Sequence, residues 1–143
     1  SGKNVTCIGN VRDDYDRVLA TCRAGDVDLN EAMVEASLAW AFRRYSMAYA
    51  ELEEQVAGAG LGIWQAPTQA PWDYRADRWS AAASVAPEGC PIKGNISRNG
   101  QIYHAPWSPW YERTSVNLSA GERWFCSERE ALDAGWRAPI WGG

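Results

Sequence analysis

The chain has 143 residues, about the length of one domain, and its 46% hydrophobic and 22% charged residues exclude wholesale disorder. Its formal charge of −4 excludes nucleic-acid binding by bulk positive charge, though not by a small basic cleft. No apolar run approaches the roughly 20 residues that a membrane-spanning helix needs, so no transmembrane segment is expected.

The first segment covers residues 1–66. Lys3–Ile8 and Arg17–Arg23 are short runs of β-branched and apolar residues. The turn formers Gly9-Asn10 and Asp13-Asp14 lie between them, and the pattern predicts a β-hairpin. Cys7 and Cys22 then sit on adjacent strands, within bridging distance. Asn30 is a good N-cap for a following helix, and Glu31 suits the positive end of its dipole. Met33, Val34, Leu38 and Ala41 follow at helical spacing and make one apolar face. A second helix is predicted from Ser46 to Ala57, where Ala50 to Glu54 are mostly strong helix formers. Gly58, Gly60 and Gly62 stop it, and Ile63-Trp64 reads as an apolar plug after it.

Residues 67–89 form a connector with two prolines near its start, a helix over Trp72–Ala83 and a linker over Ser84–Gly89. The last segment, residues 90–143, begins with strands at Ile92–Ile96 and Gln101–His104 around Ser97-Arg98-Asn99-Gly100, a strong short hairpin signal. Glu122–Cys126 is a further candidate strand. Ser127-Glu128-Arg129-Glu130 is a capping box, and Gly135 is placed to close the helix that follows. The expected architecture there is a small ββ…βα domain. A domain of about 50 residues needs a staple.

The four cysteines fall into two pairs, Cys7/Cys22 and Cys90/Cys126, each within one segment. An even count in this pattern predicts two local disulfides and an oxidising compartment, periplasmic or secreted. The chain also has nine Trp. Trp72, Trp79, Trp107, Trp110, Trp124 and Trp141 lie in the second half, most of them beside Pro, Arg or acidic residues. Two readings are open: rings that cap a thin core, or a stacking and partner surface.

The first segment resembles the C-terminal half of the staphylococcal nuclease (thermonuclease) family. The residues that carry the resemblance are Asp13-Asp14-Tyr15-Asp16-Arg17-Val18-Leu19-Ala20, Asp28-Leu29-Asn30-Glu31-Ala32-Met33-Val34, Ala39-Trp40-Ala41, Arg44-Tyr45 and Gly62-Ile63-Trp64. The resemblance implies an α+β fold built on part of an OB-type (thermonuclease-like) barrel, with two to three helices packed against it. It implies Ca²⁺-dependent hydrolysis of DNA and RNA phosphodiester bonds in full members. In the family's Asp-x-Tyr-Gly-Arg motif the Arg contacts the reacting phosphate and the Tyr lies against the nucleotide, so Arg17 and Tyr15 take those roles here. Tyr45 corresponds to a second nucleotide-contacting Tyr. A planar guanidinium suits the role, because it donates a fork of hydrogen bonds to developing negative charge. The family's Gly is Asp16 in this chain, which puts a like charge beside the phosphate site.

The family's metal-binding carboxylates, its water-activating Glu and its first phosphate-binding Arg lie N-terminal to that motif. Only twelve residues precede Asp13 here, so no metal ligands are expected in this chain, and Ca²⁺ only where the N-terminal half is present. Hydrolysis of this type needs a cation to offset charge on the transition state. The expectation is a non-catalytic scaffold or accessory protein whose barrel is completed by another protein chain or by a missing N-terminal segment. Three origins are open: a piece of a longer nuclease, a relative completed by another chain, or a re-formed small sheet covered by the Trp-rich half.

The last segment resembles a small domain often appended to thermonuclease-like proteins in bacteria. The pattern runs from Cys90-Pro91-Ile92 through His104, Pro106, Trp110-Tyr111 and Thr114 to Gly121-Glu122-Arg123-Trp124-Phe125-Cys126 and Ala134-Gly135-Trp136-Arg137. Relatives with a Cys four residues after the His look metal-binding. Here that position is Ser108, which leaves too few ligands for a closed zinc site. A disulfide and a structural, hydrogen-bonded His104 are expected instead. Lys93, Arg98, Arg113, Arg123 and Arg137 with the nearby aromatic rings make a single-stranded nucleic-acid surface a further reading, with Trp–Arg stacking on a solvated face the favoured one.

Overall fold

The computed structural model describes residues 2–13 and 17–140, and the chain divides into two units, Ser1–Ala70 and Pro71–Gly143.

In the first unit, runs rich in β-branched residues pair as an antiparallel hairpin, β1 (Thr6–Arg12) with β2 (Val18–Ala24). Asp13 and Arg17, just beyond the paired strands, are tied to each other. The Asp13 N–H donates to the Arg17 carbonyl at 3.0 Å, and the Arg17 N–H donates to the Asp13 carboxylate at 3.0 Å. The predicted turn at Gly9-Asn10 does not form. Those residues belong to β1, which runs further toward Arg12 than the sequence suggests. Gly9 instead lies against the β2 backbone, where an added Cβ would overlap the Leu19 carbonyl oxygen. A bulge falls beside it: Ile8 pairs with Thr21 and Val11 with Leu19. Three steps on β1 thus match two on β2, and Ile8 and Val11 come to the same face of the sheet. The short β3 (Val27–Asp28) completes the order β1-β2-β3.

The helix α1 (Leu29–Glu35) follows directly. Its N-cap is Asp28, not the predicted Asn30. The Asp28 carboxylate accepts from the Asn30 and Glu31 N–H groups at 2.9 and 3.1 Å. Asn30 is used across the fold: its side chain accepts from the Cys22 N–H at 3.0 Å and donates to the Ala20 carbonyl at 3.3 Å. That clamps α1 onto β2. The predicted apolar face is cut short. The helix stops at Glu35, and Ser37 takes a left-handed φ of 57°. Val34 and Ala41 are buried, whereas Met33 and Leu38 are exposed.

The second helix, α2 (Ala50–Gly58), starts four residues later than predicted. It carries the buried Glu53. That carboxylate accepts from the Ala41 N–H at 2.7 Å and from two Arg43 guanidinium nitrogens at 2.9 and 3.2 Å. A 3-10 turn at Gly62–Trp64 follows, and the half-buried Trp64 ring stands edge-on to Trp40 with centroids 4.2 Å apart. The described residues form no closed barrel: the unit is one three-stranded antiparallel sheet with two helices.

The second unit opens with α3 (Pro71–Ala83). Pro71 sits at its first position, where a missing N–H costs nothing. β4 (Ile92–Ser97), β5 (Gly100–His104) and β6 (Arg123–Phe125) form an antiparallel sheet in the order β5-β4-β6. The β4–β5 loop is Arg98-Asn99, because Ser97 pairs with Gly100. The capping box forms at α4 (Glu128–Asp133). Ser127 accepts from the Glu130 N–H at 3.1 Å, and Glu130 accepts from the Cys126 N–H at 2.7 Å. Gly135 follows with φ 83°. The ββ…βα expectation therefore holds for this unit, with α3 added. Ile92, Tyr103, Phe125, Ala131 and Trp136 make its core, and Trp79 of α3 packs against it.

One glycine in β4 is dictated by that core. A Cβ on Gly94 would stand 2.7 Å from the Phe125 ring, 2.8 Å from the Trp136 ring and 2.9 Å from the Arg123 carbonyl. Gly94→Ala is therefore expected to cost about 2 kcal/mol by overpacking. Urea unfolding followed by near-ultraviolet circular dichroism checks it as a lowered midpoint at unchanged slope.

Candidate functional site

The described residues singled out for phosphate chemistry lie on two separate segments, Arg17 just ahead of β2 and Tyr45 between α1 and α2. Arg17 stands where β2 begins, and its side chain is 72% exposed. Its Nε donates to the Asp13 carboxylate at 2.7 Å, so Asp13 orients the guanidinium. Asp13 itself is almost wholly covered, at 5% side-chain exposure. Tyr15 and Asp16 lie outside the described residues. Tyr45 is exposed on the segment between α1 and α2. Its ring stands edge-on to Phe42, 5.2 Å between centroids, with the Arg44 guanidinium 5.9 Å from its centroid.

Among the described residues no group of three His, Cys, Asp or Glu side chains converges to hold a metal ion. A hard cation such as Ca²⁺ takes six to eight oxygen ligands. The described donor set does not fit one.

The cysteines pair as expected. Cys7 bridges Cys22, its direct partner in the β1–β2 register. Cys90 bridges Cys126, one residue outside the Ile92–Phe125 pair in one strand and two in the other. No free cysteine is left among the described residues. No helix among them is long and apolar enough to cross a membrane.

His104 is buried at the end of β5, with its Nδ1 3.3 Å from the Ser108 hydroxyl and its ring edge-on to Trp110. Ser108 is thus its hydrogen-bond partner. Burial, reinforced by the positive charge of Lys93, holds the imidazole below its ordinary value near 6.5. The unfolded chain then binds the proton more readily than the folded one. Stability from this group is fully present above about 6.5 and declines as the pH falls below it. His104 is the one histidine of the chain, so a single imidazole resonance should titrate with a midpoint below 6.5, and His104→Gln should flatten the loss of thermal stability between neutral and mildly acidic pH.

Three of the five candidate nucleic-acid cations are already engaged. Lys93 lies over the Tyr111 ring, 4.1 Å from its centroid. Arg123 lies over Phe125 at 4.7 Å. Arg137 donates to the Asn99 carbonyl at 2.7 Å. Two buried carboxylates, Glu53 and Glu122, carry no marker in the sequence, because each is held by backbone N–H groups that no local pattern links to it, Ala41 for Glu53 and Ile96 and Asn117 for Glu122. Nor does the sequence mark the cleft beside Lys93, whose walls come from α3, β4, β6 and the segment around Tyr111.

Residues 1–66 match the family model described as staphylococcal nuclease homologue, and residues 73–138 match the one described as ArfC. A Haemophilus influenzae protein named as an uncharacterized endonuclease is 33% identical over 64 residues, 43% of this chain and 36% of that protein. The chain thus spans about a third of the length of that relative. No solved structure matches. The two halves of the chain are therefore a staphylococcal-nuclease-like region at residues 1–66 and a C-terminal ArfC domain at residues 73–138.

Proposed function

We propose that residues 1–66 are one part of an OB-type nuclease barrel, that the chain acts as a binding or accessory protein rather than as a hydrolase by itself, and that another polypeptide segment completes the barrel. The segment would come from a partner chain or from further sequence on the N-terminal side. The observation that carries this reading is β1. It is an edge strand of the sheet, all seven of its residues are exposed, and the bulge gathers Ile8, 73% exposed, and Val11 on one face. An open edge with an apolar face is a template for another strand. In the completed barrel Arg17, oriented by Asp13, offers its guanidinium to a phosphate, with Tyr15 and Tyr45 as nucleotide contacts. The two disulfides support a periplasmic or secreted setting.

A second reading is a Ca²⁺-dependent nuclease in its own right, favoured by the likeness to a protein named as an endonuclease. One experiment separates the two. The purified chain is assayed on single-stranded DNA with Ca²⁺, beside Arg17→Ala and beside Ile8→Lys/Val11→Lys. The accessory reading expects no hydrolysis above the blank. It also expects an apolar fluorescent dye to bind the parent chain and to lose most of its signal with the double Lys variant. Hydrolysis that drops by more than about 100-fold in Arg17→Ala establishes the nuclease instead.

A further inference from the structure

The second unit contains a cleft of about 250 Å³ that neither half's family likeness assigns. One wall is the end of α3 and the residues just after it, where Ala82, Ala86 and the 84% exposed Val85 give an apolar surface. The Trp124 ring of β6 and the Tyr111 ring face the same space. Lys93 projects from β4 between those two rings. Its Nζ donates to the Tyr111 carbonyl at 3.0 Å and lies 5.9 Å from the Trp124 centroid. Burial in this setting pulls the ammonium below its ordinary range. No carboxylate among the described residues lies within ion-pair distance of it, and the charge of Glu112 acts on it from further off. Glu112, at the rim, accepts instead from the Arg78 guanidinium at 2.7 Å, and Arg78 is held further by the Pro106 carbonyl.

The cleft therefore holds one positive charge in excess, next to apolar and aromatic walls. We propose that it binds a small organic monocarboxylate, with the carboxylate on the Lys93 ammonium and the apolar body between Trp124 and the alanine face of α3. The charges select this class. A tyrosine carbonyl fills only one of the three ammonium donors, so a ligand oxygen has a donor to meet. Glu112 at the mouth disfavours a second negative charge, which argues against a phosphate dianion. The volume is below the roughly 300–1,000 Å³ of pockets for drug-sized ligands, so the body is a single ring or a short acyl chain.

The test uses the full chain, ¹⁵N-labelled, titrated by NMR with benzoate, with the neutral isostere benzamide, and with inorganic phosphate. Benzoate is expected to give saturable shifts at the Ala81, Ala82 and Lys93 amides, and benzamide and phosphate to bind at least tenfold more weakly. Lys93→Gln should abolish the benzoate shifts. Ala81→Phe, at an exposed position lining the cleft, should block them while leaving Lys93 in place, so a failure of Lys93→Gln to fold does not spare the proposal. Equal shifts with benzoate and benzamide, tighter binding of phosphate, or benzoate shifts that survive Ala81→Phe each overturn it.

Discussion

Replacing Cys90 and Cys126 together by Ala is expected to lower the melting midpoint of the second unit by about 20 °C. The bridge closes a loop with a sequence separation of 36, and the chain entropy removed from the unfolded state by such a loop stabilises by about 4 kcal/mol. The five buried core residues offer little to offset that loss. The bridge also stands where it matters most, since Cys90 leads into β4 and Cys126 leaves β6, the two strands paired through Ile92 and Phe125. The shorter Cys7–Cys22 loop, with a separation of 15, is expected to contribute about 3 kcal/mol to the first unit by the same reasoning. Scanning calorimetry of the parent and the double Ala variant, under non-reducing conditions, checks the expectation. Treating the parent with a thiol reductant should destabilise the second unit to a similar extent. A shift below about 5 °C would mean that packing around Phe125 and Trp136, not the loop constraint, carries the unit.

The features legible in the sequence are those whose causes are local. The capping box at Ser127 and Glu130, the stop at Gly135 and the hairpin around Arg98-Asn99 each depend on residues within one or two turns of chain. They appear where the pattern places them. The departures share a different cause. Asp28 and Asn30 are both good caps, and nothing local decides between them. The choice is made by β2, whose Cys22 N–H and Ala20 carbonyl occupy the Asn30 side chain. Gly9-Asn10 looks like a turn until β2 is laid beside it, when Gly9 becomes the residue without a Cβ that lets the two backbones approach. The early end of α1 at a left-handed Ser37 has no sequence marker, since that conformation is the ordinary domain of Gly and Asn.

The same division runs through the candidate site. Asp13 and Arg17 lie four residues apart within one motif that is legible in the sequence. The Lys93 cleft draws its walls from residues between 78 and 124, and no spacing rule links them. Lys93 reads in the sequence as one of five surface cations, and its place in the cleft lining beside Tyr111 and Trp124 sets it apart from Arg123 and Arg137.

The carboxylate of Glu122 is the other feature of large consequence, and its removal is expected to cost about 3 kcal/mol. Glu122 is 7% exposed. Its Oε1 accepts from the Asn95 side-chain amide at 2.7 Å and from the Ile96 N–H at 2.8 Å, and its Oε2 accepts from the Asn117 N–H at 2.7 Å. Two of these donors are on β4 and the third is on the loop before β6, so one side chain holds that loop on the sheet. Glu122→Ala leaves all three donors without their acceptor. Glu122→Gln keeps the shape and one acceptor oxygen, but it turns an amide NH₂ toward a second set of N–H groups, for a smaller loss of about 2 kcal/mol. Glu112→Gln is the control: that carboxylate is 76% exposed in its pair with Arg78, and exposed pairs contribute less than about 1 kcal/mol. The expected order of stability loss is Glu122→Ala, then Glu122→Gln, then Glu112→Gln. Hydrogen exchange should show the Ile96 and Asn117 amides losing protection first in the Glu122 variants. If Glu122→Gln matches the parent in both stability and exchange, the donors need only an oxygen there and the charge of the carboxylate plays no part.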